Sequence, residues 1–371
     1  MILSSNLGWI GVDLGTHTVK LAQAVRTPQG VRLRHSAVIE RPSPWSESDR
    51  LALDEPDPSW PEILAALECG GFRGRSAACL LPMNVCELRG LKVPQGDEHE
   101  RRAMIASELA DDETELSVPT EFDYWELGGE KGIETPDGFN VNVMSVTRPW
   151  IDQLAADCQR VRLDCWAVDG TPLAMARAVG LVAGPHSSDR AVAVDWGCSN
   201  TTLAVVGRGR LLYTRRLHDC CFRKCLAAIE ESLGVTRDHA QHLVDVYGVV
   251  APGAEAGPAA AGDHNKIQAA ITAAIADVMA SLAEQIERTL RFLESQRRHQ
   301  HPASLWLMGG GASVRNIGPP LPAALRLPVS IWPAKPPSGP TDRELAHPIS
   351  GPQSALFGPA LALSALAWRA A

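Results

Sequence analysis

"GVDLGTHTVK", residues 11–20, and "AVDWGCSNTT", residues 193–202, carry one phrase twice: an apolar residue, Asp, any residue, Gly, then polar residues. The likeness extends along "GVDLGTHTVKLAQAVRTPQGVRLRHSAVIE" and "AVDWGCSNTTLAVVGRGRLLYTRRLHD". Each copy reads as an apolar strand, a break at Asp-x-Gly, a second strand of alternating pattern, a Gly-containing turn and a third strand. The repeat therefore predicts two halves, each opening with a three-stranded antiparallel meander.

The tip of the first hairpin in each copy has the composition of a ligand cradle. Gly15 and Gly197 let the backbone turn tightly and approach a bound group. Thr16, Thr18, Ser199 and Thr201 offer hydroxyls and backbone N–H groups to an anion. His17 and Asn200 complete the tips, with His17 read as a solvent-exposed side chain. Asp13 and Asp195 precede the turns, and a carboxylate beside phosphates requires a cation between them, Mg²⁺ held through water. Lys20 adds a positive charge to the first copy alone. A third piece, "SLWLMGGGASVRNI", residues 304–317, is an apolar strand that breaks at Gly309, Gly310 and Gly311, with Ala312 and Ser313 opening a helix. Glycines at such a junction allow a flat ring to lie against the backbone.

Bulk properties narrow the class. A chain of 371 residues exceeds one ordinary core and predicts two domains. A net charge of −8 argues against a general nucleic-acid binder. No apolar run of about 18 residues is present to span a membrane. "MILSSNLGWIGVDLG" lacks the basic segment and long apolar stretch of a secretory signal, so no signal peptide is expected. The nine cysteines (69, 79, 86, 158, 165, 198, 220, 221 and 225) form no CxxC pair. "HDCCFRKC", residues 218–225, is the nearest to a ligand cluster. Buried thiols in a reducing compartment are the expectation, with a redox or metal role for 220–225 as the alternative.

With these motifs in place, the chain resembles the actin-like ATPase superfamily of actin, sugar kinases and heat-shock chaperones. The two hairpins match its two phosphate loops, and "LMGGGAS" its adenosine loop. Within that superfamily it resembles the type IV pilus assembly protein PilM family, relatives of FtsA. "AACLLPMNVCELRGLKVP" (77–94) is similar to the strand–Pro–strand entry into that family's inserted subdomain, and "ERRAMIASELADD" (100–112) to the helix after it, with Ile105 and Glu108 in its I-x-x-E pattern. "EFDYWEL" (121–127), the stretch 140–178, "LRLPVSIWPA" (325–334) and "SALFGPALALSAL" (354–366) match the following strands, helices and the Gly-interrupted final helix.

The resemblance implies an α/β actin-like ATPase fold of two duplicated ribonuclease-H-like halves, with a small α+β subdomain inserted in the first half and a helical lid in the second. Residues 1–75 and 149–190 would form the first large subdomain and 76–148 the inserted one. Residues 191–233 and 302–371 would form the second large subdomain, closed by the buried final helix, and 234–301 the lid. In the lid, Ile267, Ile271, Ile275, Met279, Leu282, Ile286, Leu290 and Leu293 recur at three- and four-residue steps, which predicts one long amphipathic helix over 267–296. "APGAEAGPAAAGDHN" (251–265) and "PAKPPSGPTDRELAHP" (333–348) read as surface loops.

The resemblance also implies a function: a cytoplasmic scaffold of a type IV pilus or related secretion machine, with ATP and Mg²⁺ between its halves. It would be held at the inner face of the plasma membrane by the cytoplasmic tail of a PilN-like single-span protein, alongside other inner-membrane components, with self-association possible and no nucleic-acid partner. The tail would dock in a groove between the inserted and first large subdomains, for which Leu80, Leu81, Met83, Val85, Leu88, Met104, Ile105 and Leu109 are the candidate lining. Two departures matter. Gln241 and Val244 stand where the family has a Glu and a Lys that grip ribose and base, and "DCCF" (219–222) replaces its Gly-Gly. No general base is identified, so at most weak ATPase activity is expected. A degenerate scaffold without nucleotide and a small-molecule kinase are the alternatives.

Overall fold

Both expected meanders form, and each seeds a larger sheet. The computed structural model describes residues 6–28, 30–44, 57–81, 83–111, 119–126, 139–183, 190–207, 209–250, 262–295, 301–317, 321, 325–332 and 352–368. The first half runs β1 (Leu7–Leu14), β2 (Thr18–Thr27), β3 (Gly30–Glu40), α1 (Trp60–Cys69) and β4 (Ser76–Leu81). It continues through β5 (Glu87–Val93), α2 (Glu98–Asp111), β6 (Thr120–Glu126), β7 (Phe139–Thr147), α3 (Arg148–Arg160), β8 (Asp164–Gly170) and α4 (Thr171–Ala183). The second half runs β9 (Arg190–Trp196), β10 (Thr201–Gly207), β11 (Arg210–Leu217), α5 (Phe222–Leu233), α6 (Arg237–Tyr247), α7 (Asp263–Ala274) and α8 (Ala276–Ser295). It ends with β12 (Ser304–Met308), β13 (Val329–Ile331) and α9 (Gly358–Ser364). Most of both loops expected over 251–265 and 333–348 lies outside the described residues.

The duplication is visible in the strand order. The first sheet is β3-β2-β1-β4-β8 and the second β11-β10-β9-β12-β13. In each, an antiparallel meander is extended by two parallel strands on the far side of its first strand. A separate antiparallel sheet, β5-β7-β6, packs Val93, Val141 and Val143 against Ile105 and Leu109 of α2.

Three expectations need correction. Strand β4 pairs with both β1 and β8, so it belongs to the first large sheet and the inserted unit starts with β5 rather than at residue 76. The candidate groove residues accordingly divide between cores. Leu81 and Val85 pack with Ile10, Val12 and Ile63, Leu80 packs with Ala174 and Leu363, and Ile105 and Leu109 fill the small core. Met83 is also buried, while Leu88 and Met104 are half-buried. The long lid helix is in fact two, α7 and α8, bent by 49° at Ile275. The bend lets α7 lie against α5 and α6 while α8 runs along β11, where Arg215 donates to Thr289 Oγ1 and Gln285 Oε1, both at 3.2 Å. The expected apolar face is nonetheless continuous through the bend, from Ile271 to Leu293. Among the described residues no single helix is long and apolar enough to cross a membrane.

The third correction concerns the final helix. It does not close the second sheet. Instead α9 lies on β1, β2 and β4 of the first sheet, and α4 of the first half lies on β9, β10 and β11. The two helices form a shared layer between the sheets, preceded by a 3-10 segment at Pro352–Phe357. The approach is close: a Cβ at Gly11 would stand 1.9 Å from the Ala360 carbonyl oxygen. Ser364 completes it. The register slips between Leu7 and Ile10 on β1 and between Gln23 and Ala24 on β2, and such slips strand backbone polar groups. Ser364 Oγ accepts the Ala24 N–H at 2.8 Å and donates to the Trp9 carbonyl. Buried Gln23 satisfies the neighbouring groups, donating to Gly8 O and Arg73 O and accepting from the Arg73 N–H.

Ser364→Ala should strand one buried donor and one buried acceptor at once, each worth about 1–3 kcal/mol when unsatisfied. Urea unfolding should show a midpoint lowered by a change of that order; an unchanged midpoint would mean that water replaces the hydroxyl.

Candidate functional site

The two Asp-x-Gly repeats end equivalent strands in equivalent register. Asp13 lies opposite Lys20 on β2 and Leu80 on β4; Asp195 lies opposite Thr202 on β10 and Met308 on β12. The strand ends approach one another closely enough for their charges to interact. Lys20 Nζ stands 3.3 Å from Asp13 Oδ2. Asp195 has no such partner among the described residues, and its carboxyl is pushed up to about 6, first by burial, then by the charge of Asp13, with Lys20 opposing.

The two tips are held differently. Arg41 grips the first: its Nε donates to Gly15 O at 2.7 Å and its backbone N–H to His17 O at 2.9 Å. Its guanidinium is itself buried and anchored by Asp57 Oδ2 at 2.5 Å and Ser59 Oγ at 3.2 Å. The sequence reading missed Arg41 because it lies beyond the third strand and no local pattern marks it. The second tip rests on α5, where the Phe222 and Arg223 N–H groups donate to Gly197 O (3.0 Å) and Cys198 O (2.9 Å). Two amides that a helix N-terminus could offer to an anion are thereby consumed.

Two tip residues differ from expectation. Thr201 is fully buried, and its hydroxyl donates to Cys220 O at 3.4 Å instead of facing the cleft. His17 is half-buried rather than solvent-exposed, and its Nδ1 is enclosed with no hydrogen-bond partner. Burial, with the guanidinium groups of Arg223 and Arg237 adding, holds its imidazole below the ordinary value. These arginines, on the first turns of α5 and α6, also act on Cys198, as does Lys20. No local pattern in the sequence marks either arginine as part of the tips. Thr16, Thr18, Ser199 and Asn200 are half-buried at the tips.

The glycine run has a different cause at each position. Gly309 has φ +89°, and a Cβ there would meet Asp195 Oδ1 at 2.4 Å. A Cβ on Gly311 would enter the Trp196 ring at 2.4 Å. Both glycines are thus required by packing on the second hairpin. Gly310 alone faces open space, with an ordinary helical φ of −61°. The expected helix is only a 3-10 turn, Gly311–Ser313, with Ala312 buried. Trp196 is fully buried, donates from Nε1 to Cys220 O at 2.7 Å and meets Phe222 edge-on. Cys220, Cys221 and Cys225 are buried in or beside this core, and their sulfurs form no metal-like group.

The nucleoside side is less equipped. Val244 is buried in the second core, so a lysine there would bring an ammonium into apolar surroundings. Gln241, half-buried on α6, donates to Asp245 Oδ1 at 2.9 Å. At the end of β8, Asp169 is held by the guanidinium of Arg177 and by the Gly170 N–H, which leaves it poorly placed as a general base.

The donor set can be tested against a magnesium–triphosphate. Two carboxylates converge, one paired with a single ammonium and the other raised by burial and then by its neighbour. An enclosed imidazole nitrogen lacks a partner, and Lys20 and Arg223, with Arg237 paired to Glu230, supply positive charge at the tips. These residues fit a polyphosphate that carries its own cation. A specific grip on a base is absent from Gln241 and Val244.

Because Asp195 binds its proton more tightly when folded, it favours the folded state below pH 4, and this contribution is lost as pH rises through about 6. The effect is of order 1–3 kcal/mol. Asp195→Asn should remove it. In chelator, the stability advantage of the variant over wild type should grow between pH 4 and 6.5; parallel curves would refute the assignment.

No protein-family model and no curated protein sequence matches the chain. Solved structures do. A PilM–PilN type IV pilus biogenesis complex aligns over 98% of this chain and 99% of that one, with a TM-score of 0.73 and 18% identity. The ethanolamine utilization protein EutJ from Carboxydothermus hydrogenoformans aligns over 96% and 88%, with a TM-score of 0.49 and 13% identity. MreB5 of Spiroplasma citri bound to AMPPNP aligns over 95% and 93%, with a TM-score of 0.46 and 12% identity. The chain has the actin-like ATPase fold.

Proposed function

We propose that the protein is a nucleotide-binding scaffold of a type IV pilus or related secretion machine. It binds ATP and Mg²⁺ between its halves and recruits the cytoplasmic tail of a PilN-like single-span protein. The observation that carries this reading is the near full-length likeness to the PilM–PilN complex, in a chain whose two Asp-x-Gly strand ends lie close enough for the charge of Asp13 to act on Asp195. Lys20, His17, Ser199 and Asn200 would hold phosphates, Asp13 and Asp195 the cation through water, and adenosine would lie over Gly310. Its place is the cytoplasmic face of the membrane, through the partner.

A degenerate scaffold without nucleotide is the second reading, and the burial of Val244 with the consumed amides of α5 supports it. The clamped state of Asp169 weighs against a kinase.

Two glycine variants separate the readings. Gly310→Val adds a side chain in open space and should leave thermal stability unchanged while abolishing ATP–Mg²⁺ heat in isothermal titration. Gly311→Ala collides with Trp196 and should lower the melting temperature. No heat from wild type would favour the second reading; equal heat from Gly310→Val would refute the placement of adenosine.

Docking is tested by replacing residues 87–147 with a short linker, which spares β4. The peptide of the neighbouring membrane protein's cytoplasmic tail should bind wild type and not this variant. Retained binding by a well-folded variant would exclude the inserted unit as the docking site.

A further inference from the structure

Away from the cleft, three thiols from three elements converge. Cys79 lies on β4, Cys158 on α3 and Cys165 at the start of β8, and their sulfurs all lie within 4.8 Å of one another. The register explains the meeting. Ala77 stands opposite Cys165, and Cys79 is two residues further along β4, so both thiols rise from one face of the sheet. Helix α3 covers that face and contributes Cys158 to the same core. Cys79 and Cys158 are fully buried and Cys165 is partly exposed. Sγ of Cys79 and Cys158 are 3.6 Å apart, well beyond a disulfide bond.

Buried cysteines commonly pack as small apolar residues. Packing alone does not require sulfur to meet sulfur from three separate elements. An ion equidistant from sulfurs spaced 3.6–4.8 Å would sit about 2.1–2.8 Å from each, a span that contains the ~2.3 Å of a metal–thiolate bond. Among the described residues no His, Asp or Glu joins the group. Structural zinc closes its shell with four ligands, whereas soft thiolates alone, three in number, suit Cu(I).

We propose that Cys79, Cys158 and Cys165 form a three-sulfur site for a soft monovalent metal ion, Cu(I). Three Cu–S bonds form, the protons of the thiols that enter as thiolates pass to solvent, and no electron is transferred. Partial exposure of Cys165 gives the ion a way in. The filled site would tie β4, α3 and β8 together, independently of the cleft.

The test is anaerobic titration of the reduced full-length protein with Cu(I) supplied as its bicinchoninate complex. Wild type should withdraw one equivalent and melt at a higher temperature when loaded. Cys165→Ala should weaken retention at least tenfold, while Cys225→Ala should retain the ion as wild type does. X-ray absorption of the loaded wild type should give three sulfur neighbours near ~2.3 Å. Equal retention by Cys165→Ala overturns the proposal, as does a shell of two sulfurs or a preference for Zn²⁺ with a fourth ligand. Should Cys165→Ala melt well below wild type without metal, the sulfur count of wild type decides alone.

Discussion

The exchange of helices between the halves is the constraint on which the cleft depends. Helix α9 ends the second half yet lies on the first sheet, and α4 does the reverse. Their shared core draws Ala22 and Ala24 from one sheet, Ala193 and Ala204 from the other, and Met175, Phe357 and Ala360 from the helical layer. Small side chains dominate there, so the backbones approach closely and dispersion contacts are dense. Neither sheet covers its inner face with its own helix alone. The positions of β1 and β9, and so of the two carboxylates that end them, are set by packing that neither half completes alone.

That arrangement produces a layered electrostatic pattern. Carboxylates lie at the cleft floor, while Lys20, Arg223 and Arg237 lie around the tips. A lone anion would reach the tips but meet Asp13 and Asp195 below. A lone cation would suit the floor but meet the arginines on its way. An anion that carries its own divalent cation would satisfy both layers, and this is the physical ground for proposing ATP–Mg²⁺ rather than either component.

The duplicated plan was legible because its signals are local. Asp-x-Gly breaks, alternating strands and Gly turns are all written within thirty residues of each repeat. What was not legible depends on contacts far apart in the chain. The packing that requires Gly309 and Gly311 has no local signal, because it is set by Asp195 and Trp196 beneath them. Thr201 looks like a phosphate donor until Cys220 O is found to take its hydroxyl. The 271–293 stripe holds its period across a 49° bend, because the core it faces is continuous while the helices behind it are not. Arg41 carries no sequence signal, since its role exists only once β3 has brought it back beside the first tip.

The two halves share register without sharing chemistry, and the difference lies in the residue between Asp and Gly. Leu14 is an ordinary core side chain among Val12, Val19 and Ile39. The first tip is therefore held from outside, by Arg41 on its carbonyl groups. Trp196, at the same position in the second half, fills the space under the glycine loop and bonds the carbonyl of Cys220. It couples the second tip, the glycine loop and the start of α5 in one apolar cluster, with Phe222 against its edge. Such a cluster tolerates little displacement, because interiors packed to this density respond to small volume changes. The first tip, by contrast, is tied through hydrogen bonds from the side chain and the backbone of one residue, Arg41. Packing therefore resists displacement more at the second tip than at the first, around Lys20 and His17.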